Sequence, residues 1–229
     1  MNRPPASRAA SGPLPVLVAL GLALLLGACA NNRAPTDATP GQPTTQVLTL
    51  HLQLDELRTG GLAFITPTSV TGQEEDKQAL ALSFTEVLQT VRPDLRIVSL
   101  PQTLSAINRT GLTREYRQMF EDYRSAGIFD RETLQKVGQA TGSRYLAQLK
   151  LAAFKQESRG RWGFLGVRMM ETKSSTIRLF LQIWDTRDGS VAWEGSHEST
   201  MAQDSMAEDN ITMKHIVEDA ARDLVARLP

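Results

Sequence analysis

Two runs near the C-terminal end, Thr176–Trp184 and Ser190–Thr200, constrain the fold more than any other part of this sequence. Both alternate with a period of two, and one pairing of them buries a consistent apolar face. Arg187-Asp188-Gly189 between them fits a three-residue hairpin loop, a type I turn with Gly189 in the left-handed bulge position. That register sets Ile183 opposite Trp193 and puts Ile177, Leu179, Leu181 and Val191 on the same side. Changing the loop by one residue would set this aliphatic row beside Glu194, Ser196 and Glu198 instead. The opposite side then carries Phe180, Gln182, Trp184 and Glu194, with Arg178 across from Glu198.

Upstream, the periodicity switches between two and about 3.6. Leu48, Leu50, Leu52 and Leu54 alternate with Thr49, His51 and Gln53, which predicts a strand with one buried face. A short strand over 62–66 follows the Gly60-Gly61 turn. Thr71 with Glu74 has the spacing of a capping box, and Leu80, Phe84, Val87, Leu88 and Val91 form a helical stripe that Pro93 ends. A strand over 95–100, helices near 102–109, 113–126 and 130–141, and a strand over 145–154 come next. Asp130 fits an N-cap, and Gly127 and Gly142 stand where helices stop. A last amphipathic helix, 208–227, buries Ile216, Val217, Ala220, Leu224 and Leu228. The fold class expected is α/β: one domain, residues 47–229, with a mixed sheet ending in an antiparallel hairpin and covered by helices.

The N-terminal segment is a different kind of sequence. Arg3 and Arg8 precede an almost wholly apolar run from Leu14 to Ala28, the order of a bacterial secretion signal. From Val16 to Ala28 the run is shorter than the roughly 20 residues a spanning helix needs. It ends in Leu26-Gly27-Ala28-Cys29, which resembles a lipobox, and Cys29 is the only cysteine of the chain. The resemblance implies cleavage between Ala28 and Cys29, a diacylglycerol on the thiol, and an acyl chain such as palmitate on the new amino terminus. Ordinary cleavage after Ala30 is the competing reading, since Ala28-Cys29-Ala30 also fits A-x-A. A lone cysteine in an exported chain can form no internal disulfide, which favours lipid on Cys29. Ala30 in place of aspartate resembles the outer-membrane sorting pattern, with the inner membrane as the alternative. Residues 1–28 are thus expected to be signal peptide, and 29–46, rich in Pro, Thr and Asn, the lipidated cysteine and a flexible tether reaching about 20–25 Å on average.

No chemistry-bearing motif emerges from the rest. Without Arg3 and Arg8 the chain is slightly acidic, and no basic run suggests a nucleic-acid partner. There is no phosphate loop, G-x-S-x-G turn or H-E-x-x-H helix. His51, His197 and His215 do not pair at ligand spacing; His215 and Asp219 share a helix face as an ordinary i,i+4 pair. No catalytic residue, metal or cofactor is expected. Gly160, Gly163 and Gly166 do not have dinucleotide-loop spacing. The segment 158–173 reads as a loop carrying Trp162, Phe164, Leu165, Val167, Met169 and Met170, which either folds back onto the domain or adheres to a partner or membrane.

Gly142-Ser143-Arg144-Tyr145-Leu146, followed by Trp184-Asp185-Thr186-Arg187-Asp188-Gly189-Ser190-Val191, resembles bacterial envelope lipoproteins of the CsgG and LpoB type, over residues 142–198. The resemblance implies a compact α/β domain and non-enzymatic work: the CsgG group forms secretion channels, and the LpoB group activates cell-wall synthases by contact. A channel would need two spanning strands of about 9–11 residues, and 158–173 is expected to supply neither the length nor the alternation. The expected function is a lipid-anchored, periplasm-facing binding or assembly factor for an envelope complex, with homo-oligomerisation left open. A ring- or pore-forming secretion subunit and an envelope hydrolase are the alternatives. Phe180, Trp184, Trp162 and Phe164 are the candidate partner contacts, aromatic anchors being where interface energy concentrates.

Overall fold

The sheet is ordered by its three long C-terminal strands. The computed structural model describes residues 43–162, 168–205 and 213–229, with backbone only at 154, 156–162, 168–175, 201–205 and 213. Among them are the strands β1 (Thr44–Thr49), β2 (Leu62–Phe64), β3 (Thr68–Ser69), β4 (Ile97–Val98), β5 (Tyr145–Trp162), β6 (Arg168–Asp185) and β7 (Val191–Ser205). The helices are α1 (Leu54–Gly60), α2 (Glu74–Val91), α3 (Leu100–Arg109), α4 (Thr113–Ala126), α5 (Arg131–Thr141) and α6 (Met213–Val225). The strands form one sheet in the order β1-β7-β6-β5-β2-β4, with β3 also beside β5. β2, β3 and β4 are parallel additions and the rest is antiparallel, so the sheet is mixed, as expected. The signal peptide, Cys29, most of the tether, Phe164 and the start of the last helix lie outside the described residues.

The hairpin takes the register that its burial pattern requires. Ile183 stands opposite Trp193, Leu181 opposite Gly195, and Arg178 opposite Glu198. Gly189 has φ 77°, the left-handed conformation the loop needs. One detail differs: a bulge between Ile183 and Trp184 pairs Trp184 with Val191 and turns Val191 to the other face. An inserted bulge residue shifts the alternation by one, and the sequence pattern alone does not reveal it.

Each sheet face has its own core. On one, Leu149, Leu151, Ile177, Leu179, Leu181, Ile183 and Trp193 pack against Leu80, Phe84 and Leu88 of α2 and Ile216, Val217, Ala220 and Leu224 of α6. The Trp193 indole crosses the backbone at Gly195, where an added Cβ would lie 2.3 Å from the ring and 2.8 Å from Leu224, so only glycine fits there. On the other face, Ile107, Tyr116, Met119, Phe129, Leu134 and Val137 of the α3–α5 region cover Ala63, Ile65, Leu146 and Trp184. Gly127 and Gly142 end α4 and α5 in the left-handed conformation, and the Asp130 carboxylate accepts the Thr133 N–H at 2.8 Å.

Four expectations are corrected. The leucines of 48–54 do not form one strand: β1 stops at Thr49, Leu54 opens α1, and Leu48 and Leu50 are 56% and 54% exposed while Leu52 is buried. An edge strand has a neighbour on one side only, so alternation there need not mean burial. The strand over 95–100 shrinks to Ile97–Val98 because Ser99 starts α3, its N–H and hydroxyl both donating to the Gln102 side chain. The Thr71 box does not form; α2 begins after Gln73, and Thr71 donates to Asp76 instead. The fourth correction is the largest. Residues 158–162 and 168–173 are not loop but continuous strand, paired from Ser158↔Lys173 to Trp162↔Arg168, with β7 following to Glu171↔Ser205.

Candidate functional site

Among the described residues the second sheet face is covered over only half its width. Helices α3–α5 stop at Trp184 and Leu146; beyond them the same face carries a row of Gln148, Gln182, Glu194 and Leu48, then Lys150, Phe180, Ser196 and Gln46. Gln148 is buried, Phe180, Gln182, Glu194 and Ser196 are half-buried, and Lys150, Gln46 and Leu48 are exposed. Tyr123 of α4 marks the border, its hydroxyl donating to Gln182 at 3.3 Å, while the Gln182 amide donates to Glu194. Burial raises the Tyr123 hydroxyl pKa. Arg178 and Glu198 close the far side as the expected cross-strand pair, 2.8 Å apart. The strip lies on the antiparallel strands β5, β6, β7 and β1, where one sheet face can remain solvated.

The four candidate contacts separate on this geometry. Phe180 sits in the middle of the open strip. Trp184, one bulge away, is 3% exposed, with its ring 5.1 Å from Phe129 and 6.5 Å from Tyr123, and belongs to the core. Sequence alternation put both on one face correctly; only the position of α4 and α5 decides which of them is covered. Trp162 ends β5, and nothing is described of its side chain; Phe164 lies outside the described residues.

The titratable groups form closed networks. Arg144 bridges Asp185, by Nε at 3.0 Å and Nη2 at 2.8 Å, to Glu56 at 2.9 Å, and Tyr145 donates to Glu56 at 3.2 Å. The Asp185 hydrogen bonds push the Arg144 pKa up, and burial raises that of Tyr145 to about 12. The other Asp185 oxygen accepts the Arg187 N–H at 2.9 Å, so this carboxylate locks the hairpin turn onto α1 and β5. Nothing in the sequence marked this triad, because its members lie far apart along the chain.

His51, Asp185 and Asp188 bring three donor atoms within 4.8 Å of one another, and Ser190 Oγ lies 3.3 Å from His51 Nε2. Nucleophile activation would need the hydroxyl to donate to the imidazole. Here it donates to Asp188 at 2.6 Å, leaving the imidazole to act as donor, which is the reverse. Asp185 is already engaged by Arg144 and the turn. The cluster therefore does the work of a turn lock. His215 makes its expected pair with Asp219 at 3.7 Å.

His197 is buried between β1 and α6, its Nδ1 2.8 Å from Thr45 Oγ1 and 3.4 Å from Asp223. Burial lowers its pKa, outweighing the attraction of Asp223; Arg227 lowers it further and Asp219 opposes. A depressed histidine pKa means that the unfolded chain takes the proton first. The stability this site contributes is complete above the unfolded value of about 6.5 and is lost as pH falls below it. Urea unfolding between pH 7.5 and 5.5 should therefore show stability falling, with His197→Gln flattening the slope by at most about 1.4 kcal/mol per pH unit. An unchanged slope would place the imidazole in water.

No family model and no curated protein matches the chain. Among solved structures it is similar to the PelC dodecamer from Paraburkholderia phytofirmans, at 10% identity over 81% of this chain and 96% of that one, with a TM-score of 0.47. Lipoprotein GNA1162 from Neisseria meningitidis is similar at 12% identity over 72% and 98% of the two chains, TM-score 0.36. The C-terminal domain of LpoB from Salmonella enterica is similar at 13% identity over 61% and 82%, TM-score 0.34. No residue role is carried across from them. Among the described residues no helix is long and apolar enough to cross a membrane.

Proposed function

We propose that this chain is a lipid-anchored protein of the bacterial outer membrane, facing the periplasm, that acts without catalysis as a binding or assembly factor for an envelope protein complex. The observation that carries this reading is the single cysteine, Cys29, closing an apolar export segment 15 positions before the first strand begins at Thr44. Two acyl signals suffice for stable membrane attachment. The half-covered sheet face with Phe180 at its centre is the surface offered to the partner. Palmitate labelling and fractionation test the anchor: the wild-type chain should take up label and sediment with outer membranes, and Cys29→Ser should do neither. Equal fractionation of the two would remove the premise.

A second reading, a ring- or pore-forming subunit, is favoured by β5 and β6, which run 18 residues each where a spanning strand needs about 9–11. Their outer parts are rich in charged residues, Lys155, Glu157, Arg159, Arg161, Arg168, Glu171 and Lys173, which a lipid-facing surface disfavours. A pore would also conduct ions across a planar bilayer, which a binding factor would not.

A further inference from the structure

Among the described residues the first strand, β1, pairs with β7 alone and has no partner strand along its outer edge. Leu50 N–H bonds Ala192 O at 3.1 Å, so the alternation of an antiparallel ladder turns Leu48 and Gln46 toward β7 and Thr45, Val47 and Thr49 outward with both backbone groups. Native edge strands are protected by charge, proline, bulges or a covering element. Here the strand is Thr-Thr-Gln-Val-Leu-Thr, with no charge and no proline, and its register with β7 is unbroken. Val47 is 43% exposed on one face and Leu48 56% on the other, so apolar surface flanks the open ladder on both sides.

We propose that β1 is a self-association edge, pairing antiparallel with β1 of a second copy about a two-fold axis at Val47. Three features select a second copy over a peptide of another protein. An antiparallel strand is complementary to itself, so one two-fold contact satisfies both open edges, whereas a guest peptide would leave a new one. The absence of charge lets two identical strands meet with no like-charge opposition. Two chains anchored through Cys29 on one bilayer also start their β1 strands the same number of residues from the lipid, which raises their effective concentration. That support matters because six paired residues bury far less than the roughly 1,600 Å² of a standard interface. The last argument rests on the anchor at Cys29; the first two do not.

The test uses the full-length mature protein in detergent micelles and in nanodiscs. With Cys29 acylated, a single introduced cysteine is the only free thiol. Bridging with a short bismaleimide should give at least tenfold more covalent dimer for Val47→Cys than for Val70→Cys, a more accessible control at 60% exposed. Val47→Pro removes an outward N–H while sparing the ladder to β7. It should halve the mass seen by light scattering with an unchanged circular dichroism spectrum. Equal crosslinking of the two cysteine variants, or a monomeric wild type whose Val47 is covered by another protein, would overturn the proposal. Crosslinking of the wild type through a free Cys29 would overturn the anchor instead and leave the edge to be judged in the Cys29→Ser background.

Discussion

Trp184→Ala should lower the unfolding free energy by about 3–5 kcal/mol, the range for removing a buried tryptophan, while Phe180→Ala changes it by less than about 1.5 kcal/mol. The two residues lie on the same face of β6 and were equal candidates as surface anchors. They differ in what lies above them. The Trp184 ring sits among Phe129, Tyr123 and the apolar side of α5, whereas Phe180 is half-buried on the open strip beside Lys150 and Ser196. Urea unfolding followed by tryptophan fluorescence measures the difference. Capture of envelope partners should respond in the opposite order, falling with Phe180→Ala in a chain that remains folded. A Trp184→Ala protein of wild-type stability that no longer captured a partner would place the indole on the surface.

The second large effect is expected at Arg144. Its partner Asp185 has a side chain only 3% exposed, and the Arg144 side chain is 14% exposed. Replacing arginine by methionine leaves the carboxylate with the Arg187 N–H as its remaining described hydrogen bond. Breaking a buried pair from one side costs about 3–5 kcal/mol, since the other charge stays desolvated. Arg144→Met should therefore destabilise by about that amount, and a cycle with Asp185→Asn should show at least about 1.5 kcal/mol of coupling. Because Asp185 also shapes the turn through Arg187, the loss should extend to faster amide exchange over 186–190. Additive effects of the two substitutions would mean that the pair is solvated and holds nothing in place.

Where local chemistry sufficed, the sequence was a good guide. The Ile183–Trp193 register was legible because only one loop count keeps charged Glu194 and Glu198 out of the aliphatic row. Asp130, Gly127 and Gly142 marked helix ends because capping needs only neighbours within a turn. The reading failed where a residue's surroundings come from afar. Leu48 and Leu50 have the alternation of a buried face, but among the described residues nothing buries them. Residues 158–162 and 168–173 looked like loop because their glycines and charges carry no hydrophobic alternation, and only the pairing of β5 with β6 makes them strand. Ser99 and Gln102 could have been read as a helix start, being three positions apart, but the apolar run Leu95–Leu100 suggested strand more strongly.

By itself, then, the sequence determined the α/β class, the hairpin register and most helix limits, since periodicity, glycine conformation and capping act over a few residues. Only the tertiary structure decided that Trp184 is core and Phe180 is not, that Arg144 joins Glu56 to Asp185, and that among the described residues β1 ends the sheet. Each of these depends on which distant segment lies alongside, and burial, ion pairing and edge exposure have no meaning until those segments are brought together.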